Sequence, residues 1–310
     1  MKHAKRALAV ALSLALLAWF VAGGQWRALG AALDALPPVA LALTALGFAL
    51  SYALRALRVW DEFHHDAAGR FGVCLRIVLI HNMMVNIVPF RGGEAAFPIL
   101  LGRHFDTPLG RAVASLFWFR LQDAFVVMAL ALMVWPALPT ALRVVGVIGV
   151  VALALALPRW ARRKHDWHDG GTWQARLAKV RDAFAESTRH ARLGWLWTIA
   201  NWSVKLAAQA FLLAVVLDSA PGIGAAGALG AELAAILPIQ GVAGFGTYEA
   251  GAAAALLPHG IALDTGLQAA LALHLFVIAC STLAGVLAWL AGALRRADTP
   301  PESLTGRDHQ

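Results

Sequence analysis

Three ionisable side chains lie within long apolar stretches of the sequence. Arg120 and Asp123 are three residues apart, so they share one face of a helix. Lys205 is four residues from both Asn201 and Gln209, which makes a polar stripe along a second helix. A charge in the middle of a bilayer costs about 2.5–3.5 kcal/mol on insertion scales. These side chains must therefore form ion pairs or line a wet cavity.

Partners for these charges can be sought in the rest of the sequence. Arg120 and Asp123 can pair with each other within their own helix. Lys205 has no acidic residue three or four positions away, so its partner must lie on another segment. The expected partners are Glu94, Glu232, Glu249 or an anionic group of a ligand.

Two further apolar blocks, residues 77–101 and 229–257, are interrupted by proline and glycine. The breaks are at Pro89, Gly92 and Gly93 in the first block and at Pro238, Gly241, Gly244 and Gly246 in the second. Each arm of about 10–12 residues would span about 15–18 Å as a helix, against a hydrocarbon core of about 30 Å. Because neither arm can cross alone, each block is predicted to form a re-entrant helical hairpin.

The first hairpin turn has the chemistry of an anion site. Asn82 and Asn86 are four residues apart, so both amides share one face of the entering arm. After Pro89 a new half-helix starts near Glu94, and its free backbone N–H groups favour an anion. Arg91 could hold a phosphate there through two parallel hydrogen bonds. In the alternative interpretation, Glu94 caps its own helix and Arg91 only pairs with it.

The second hairpin turn carries acidic and aromatic groups but no arginine. Glu232 lies on the entering arm, while Tyr248 and Glu249 open the leaving arm, where Glu249 takes the place that Glu94 has in the first hairpin. Glycine-rich turns serve ligand binding and tight packing alike. Both roles stay open for this turn.

The composition places these segments in a membrane protein. Of the 310 residues, 60% are hydrophobic and 14% are charged, against roughly 25% charged in soluble domains. Only two cysteines are present, which excludes a disulfide framework. We predict an all-α polytopic membrane protein with six transmembrane helices and two re-entrant hairpins. The predicted spans are residues 7–23, 38–57, 112–135, 141–158, 194–217 and 265–292. The first also resembles a secretory signal peptide, but we interpret it as an uncleaved anchor.

The basic residues indicate orientation rather than nucleic-acid binding. When the spans alternate across the membrane, 22 of the 26 lysines and arginines fall on one side, which is the positive-inside pattern. Both termini are therefore predicted to be cytoplasmic in a cell (inner) membrane protein. We expect one domain over residues 1–297, with a basic cytoplasmic linker at 159–193 that suits an interfacial helix. Residues 298–310 are predicted to be a disordered tail.

The order of elements predicts an internal repeat. Residues 1–135 and 141–297 each run span, span, hairpin, span. Three crossings per half require the second half to be inverted, and we expect Lys205 to join the two halves. Inverted repeats with broken helices that meet near the midplane are a transporter architecture. The alternative is a duplicated bundle with no transport role.

Four sequence blocks resemble one family. They are Asn86 to Glu94 (NIVPFRGGE), Leu100 to Arg103, Arg120 to Asp123, and the glycine-rich Pro238 to Glu249. The chain resembles the lysylphosphatidylglycerol synthase transmembrane-region family, also called flippase-like, over roughly residues 5–295. The resemblance implies lipid translocation. The synthase members also carry an aminoacyl-transferase domain, and the polar stretch at 159–193 is too short to encode one.

The sequence contains no recognisable catalytic, cofactor or metal motif, so we predict no enzyme, no cofactor and no metal site. The sequence has no P-loop and no nucleotide fingerprint, so transport would be passive or driven by an ion gradient. His64, His65 and Asp66 are interpreted as a solvated segment rather than a metal cluster. His274, within the last span, is expected to form a helix–helix hydrogen bond.

Three hypotheses follow for function. The first is a flippase that moves an anionic, polyprenyl or hopanoid-type lipid between leaflets through a polar midplane cavity. The second is an intramembrane lipid-modifying enzyme that uses Glu94 or Glu249 as a base. The third is a non-transporting partner of a lipid-synthesis complex, and a homo-oligomer also stays open.

Overall fold

The protein is described by a computed structural model over residues 36–135, 138–163, 171–236 and 242–297. Within these ranges it is helical and contains no strand. Its α-helices are α1 Pro38–Glu62, α2 Phe71–Ile87, α3 Ala96–Phe105, α4 Leu109–Val134, α5 Thr140–Ala161, α6 Thr172–Ser187, α7 Gly194–Val216, α8 Pro221–Ile236, α9 Thr247–Leu256 and α10 Leu263–Ala297. The predicted span 7–23 and the predicted tail 298–310 lie outside the described residues.

Five of the described helices are long and apolar enough to cross a membrane. They are α1, α4, α5, α7 and α10. They coincide with the last five predicted spans, and the prediction of an all-α polytopic membrane protein is confirmed. Helix α5 is almost entirely exposed, with exposed residues such as Val145 and Ile148 along it. An apolar helix with so little protein around it has the composition of a lipid-facing element.

The first broken block forms two helices joined by a tight turn. Helix α2 ends at Ile87 because Val88 is extended, with φ −81° and ψ 120°, as the residue before a proline prefers. A 3₁₀ turn, Pro89–Ala95, then leads into α3. A side chain at Gly93 would collide with the backbone carbonyl of Met84. Glycine at this position therefore lets the turn fold back onto the end of α2.

The second broken block repeats this design with α8 and α9 as its arms. The two arms approach closely where Gly230 faces Gly251, since a Cβ on Gly230 would lie 2.5 Å from the Cβ of Ala255. Residues 237–241, which include Pro238 and Gly241, lie outside the described part. Gly246, with φ 87°, immediately precedes α9 in a conformation that favours glycine.

The packing of the helices follows the symmetry of the predicted repeat. Helices α1 and α7, the second spans of the two halves, pack along each other, and Gly47 lies against Ala208. Helix α2 packs on α10, and α8 packs on α4, so each entering arm contacts the last span of the other half. The turns Pro89–Ala95 and Val242–Gly244 contact each other. The two hairpins therefore meet inside the helical domain, while their orientation in a membrane stays a prediction.

The predicted linker 159–193 contains α6. This helix packs on α4 and α5, where Phe184 contacts the Trp118 ring at 5.4 Å between centroids. The loop after α6 is held by Asp61, whose carboxylate accepts hydrogen bonds from the backbone N–H groups of Arg192 and Leu193. The linker is thus fastened to the end of α1.

Candidate functional site

A polar cavity of about 280 Å³ lies where the two hairpins meet the spans. Its walls come from α1, α2, α4, α7, α8, α9, α10 and both hairpin turns. Eight of the ten predicted site residues line it: Asn82, Asn86, Glu94, Arg120, Asp123, Lys205, Glu232 and Tyr248. The structure thus brings together residues from four separate sequence segments. Arg91 lies in the first turn, but its side chain is outside the described part of the structure.

At the first hairpin, Glu94 pairs with Arg120 across the cavity. The Nη2 of Arg120 lies 2.8 Å from Oε1 of Glu94 and also donates to Oε2 at 2.9 Å. His81 Nε2 lies 3.3 Å from the same Oε2. The Glu94 and Arg120 side chains remain 21% and 32% exposed. They are therefore paired and still open to the cavity.

Asp123 is bound mainly from two other helices, and its possible pair within α4 is the longest of its contacts. Its Oδ1 accepts from Nη1 of Arg58 at 2.7 Å and from the indole N–H of Trp202 at 2.9 Å. Arg120 lies farther off, with Nη1 3.7 Å from Oδ2 of Asp123. Arg120 and Asp123 thus do pair within α4, but the pair is not self-contained, because Glu94 lies closer to the Arg120 guanidinium and Arg58 reaches Asp123 from α1.

Lys205 pairs with Glu232, one of its expected partners. The Nζ of Lys205 lies 2.7 Å from Oε1 of Glu232, and Gln209 donates to the same oxygen at 2.7 Å. Both charged residues belong to the second half, so the prediction that Lys205 joins the halves is wrong. Other residues of α7 connect the halves: Trp202 donates to Asp123 on α4, and Asn201 accepts from Ser51 on α1.

Glu249 is fully buried and is not among the described residues that line the cavity. Its Oε2 accepts from the backbone N–H of Gly246 at 2.8 Å, and its Oε1 lies 2.6 Å from Nδ1 of His274. The predicted helix–helix hydrogen bond of His274 is confirmed. Tyr248 stacks on the His274 ring at 4.3 Å and accepts a hydrogen bond from Gln209. At this turn, the glutamate caps its own helix.

Helix α1 supplies two arginines that the sequence reasoning assigned to the cytoplasmic side. Arg58 is 2% exposed and paired with Asp123, while Arg55 lines the cavity and donates from Nη1 to Oδ1 of Asn82 at 2.8 Å. Arg55 lies within the predicted span 38–57, and Arg58 lies inside α1 because the helix continues to Glu62, five residues beyond the predicted end. A detectable signal existed in the spacing: Ser51, Arg55, Arg58 and Glu62 recur at intervals of four, three and four on one helix face.

The remaining polar groups tie helices together. Asn86 donates from Nδ2 to Oγ of Ser281 at 2.8 Å, which links α2 to α10. Ser51 donates to Asn201 at 2.7 Å between α1 and α7. Asp66, from the segment considered for metal binding, pairs with Arg111 at 2.8 Å. No group of three or more His, Cys, Asp or Glu placed to hold a metal occurs among the described residues.

Apolar spanning helices around a charged central cavity define the class: a polytopic α-helical membrane protein with a polar site inside its helical domain. The family model for the lysylphosphatidylglycerol synthase TM region matches residues 6–285. The chain therefore belongs to this flippase-like family. No curated protein matches the chain.

Proposed function

We propose that this protein moves a phosphate-bearing lipid between the leaflets of the cell (inner) membrane. The headgroup crosses through the central cavity while the acyl chains stay in the lipid. The observation that carries the proposal is the cavity itself, which exposes Arg55, Arg120 and Lys205 inside a domain of membrane-crossing helices. Such charges are expensive at membrane depth and mark substrate or ion pathways.

The charged lining exceeds what a structural bundle requires. Ion pairs inside a protein are often no more stabilising than well-packed apolar residues, since their desolvation offsets their attraction. Here, three carboxylates and three cations face one cavity, and Lys205 keeps 17% of its side chain exposed. A site that stays open to a polar ligand accounts for this arrangement.

The size of the cavity favours a headgroup rather than a whole lipid. Small-molecule sites usually enclose about 300–1,000 Å³, and the cavity holds about 280 Å³. Broken helices that meet at such a site are the arrangement of transporters that rock one repeat against the other. The two contacting hairpin turns fit this mechanism.

The test is leaflet exchange by the purified protein in liposomes, followed with a fluorescent phosphatidylglycerol and a membrane-impermeant quencher. We expect exchange with the wild-type protein and at least a tenfold slower rate in Lys205→Ala and Arg120→Ala. Arg189→Ala is the matched control, because it removes a positive charge from an exposed side chain outside the cavity.

Chemical analysis of the lipid separates transport from catalysis. Exchange of an unchanged lipid supports the proposal, whereas a modified product would favour an intramembrane enzyme. Wild-type protein that leaves the label in its original leaflet would contradict the proposal. So would equal rates in the control and both cavity variants.

A further inference from the structure

Arg55 is the cavity cation that no described carboxylate pairs with. The other cations at the cavity each have a partner: Arg120 pairs with Glu94, and Lys205 pairs with Glu232. The third carboxylate, Asp123, is held by Arg58 behind the lining. Arg55 is left with a neutral partner, the amide oxygen of Asn82, at 2.8 Å. The lining holds three cations and three carboxylates, but because Asp123 is taken up by Arg58, Arg55 forms no ion pair of its own among the described residues.

The side chain of Asn82 holds this guanidinium from α2. A guanidinium can only donate hydrogen bonds, so the amide atom that faces Arg55 must be the oxygen. The amino group, Nδ2, then points away from Arg55. It is buried and has no hydrogen-bond partner among the described residues, so Asn82 acts on the site through its oxygen.

Arg55, held in this way, matches an anion that has several acceptor oxygens. The hydrogen bond to Asn82 fixes the guanidinium at the wall of the cavity, and the remaining N–H groups of Arg55 form a fork of donors there. A phosphate group can accept from this fork through two different oxygens.

We propose that Arg55 and Asn82 form the subsite that binds the phosphate of the lipid headgroup. This inference rests on the proposed function and deepens it. It places the phosphate between α1 and α2, whereas the sequence alone favours the turn that carries Arg91. The ion pairs Arg120–Glu94 and Lys205–Glu232 then line the rest of the headgroup path.

The test is equilibrium binding to the full-length protein in detergent. The probes are dihexanoyl phosphatidic acid, dihexanoylglycerol, which lacks the phosphate, and inorganic phosphate. We expect phosphatidic acid to bind at least tenfold more tightly than either of the other two. Arg55→Gln should weaken phosphatidic acid binding by about 10- to 100-fold, the usual range for a lost charge-assisted hydrogen bond. Arg189→Gln, on an exposed side chain, should leave binding unchanged.

A second variant keeps the test independent of folding. Asn82→Asp supplies the carboxylate that Arg55 lacks, so the guanidinium pairs internally. We expect phosphatidic acid binding to fall at least tenfold, while the melting temperature stays at or above that of the wild type. Unchanged binding in Asn82→Asp or in Arg55→Gln overturns the subsite. Inorganic phosphate that binds as tightly as phosphatidic acid overturns its assignment to a lipid.

Leaflet exchange measured in parallel separates this inference from the proposed function. Binding that depends on Arg55 in a protein that does not exchange lipid would refute transport and support the subsite. Exchange by the wild type, together with phosphatidic acid binding that Arg55→Gln leaves unchanged, would refute the subsite and support transport.

Discussion

Trp202 donates its indole N–H to Oδ1 of Asp123 across 2.9 Å, and this hydrogen bond links the two halves of the protein. The same oxygen accepts from Nη1 of Arg58 at 2.7 Å. One carboxylate thus joins α1, α4 and α7 beside the cavity. Because Asp123 and Arg58 are both almost fully buried, their pairing controls stability as well as the charge of the site.

We expect Asp123→Asn to destabilise the protein by about 3–5 kcal/mol, because it leaves the Arg58 guanidinium buried without a counter-charge. Trp202→Phe removes a donor to the carboxylate and part of a buried ring but leaves the ion pair intact, so it should cost less, about 1.5–3 kcal/mol. Thermal unfolding in detergent, with the wild type in the same scan, measures both. The double variant Arg58→Met with Asp123→Leu should recover most of the loss. A melting temperature of Asp123→Asn equal to that of the wild type would contradict the assignment.

The Lys205–Glu232 pair predicts a strong coupling between two single variants. Lys205→Met leaves the Glu232 carboxylate with Gln209 as its one donor among the described residues, and Glu232→Gln leaves Lys205 without its carboxylate. The double variant removes both charges, so its loss of stability should be smaller than the sum of the single losses by about 1–3 kcal/mol. A double-mutant cycle on unfolding free energies measures this coupling. Additive losses would show that the pair contributes nothing of its own.

Much of the fold follows from the hydrophobic pattern, because span length and chain breakers act locally. The apolar runs predict the five described spans, and Pro89 marks the end of α2 within two residues. The requirement that buried charges be paired also holds: it correctly places Glu232 among the partners of Lys205. These predictions rest on one physical fact, that exposing polar groups to lipid costs free energy.

The remaining contacts depend on which faces of the helices pack together, and the sequence alone does not determine this. Arg55 and Arg58 lie near the end of a predicted span, where a basic side chain usually extends to the membrane surface. In the structure α1 continues past both, and α4 lies opposite Arg58. The choice of Arg58 over Arg120 as the partner of Asp123 is therefore a tertiary effect. Glu249 caps its own helix in the structure. The sequence suggests such a cap only for its counterpart Glu94, as the alternative to an anion site.

The second hairpin should be sensitive to small increases in side-chain size between its arms. A methyl group on Gly230 would meet the carbonyl oxygen of Gly251, so Gly230→Ala must push α8 and α9 apart. We expect a loss of about 1–3 kcal/mol in unfolding free energy, the usual cost of overpacking. Gly149→Ala is the matched control, because its new methyl group meets nothing within 4 Å. Equal stability of the two variants would argue against close packing of the arms.

The inverted arrangement predicts opposite accessibility for two exposed glycines that have open space around them, Gly110 and Gly222. Gly110 lies at the start of α4, just after the first hairpin, and Gly222 lies at the start of the second. If the hairpins enter from opposite faces, Gly110→Cys should react with a membrane-impermeant maleimide only from the cytoplasmic side, and Gly222→Cys only from the other side. Replacing Cys74 and Cys280 with alanine removes the background reaction. Labelling in intact cells, compared with labelling in inverted vesicles, measures the difference. Reaction of both cysteines from the same compartment would contradict opposite entry, because the three predicted crossings between the two positions, α4, α5 and α7, require opposite faces.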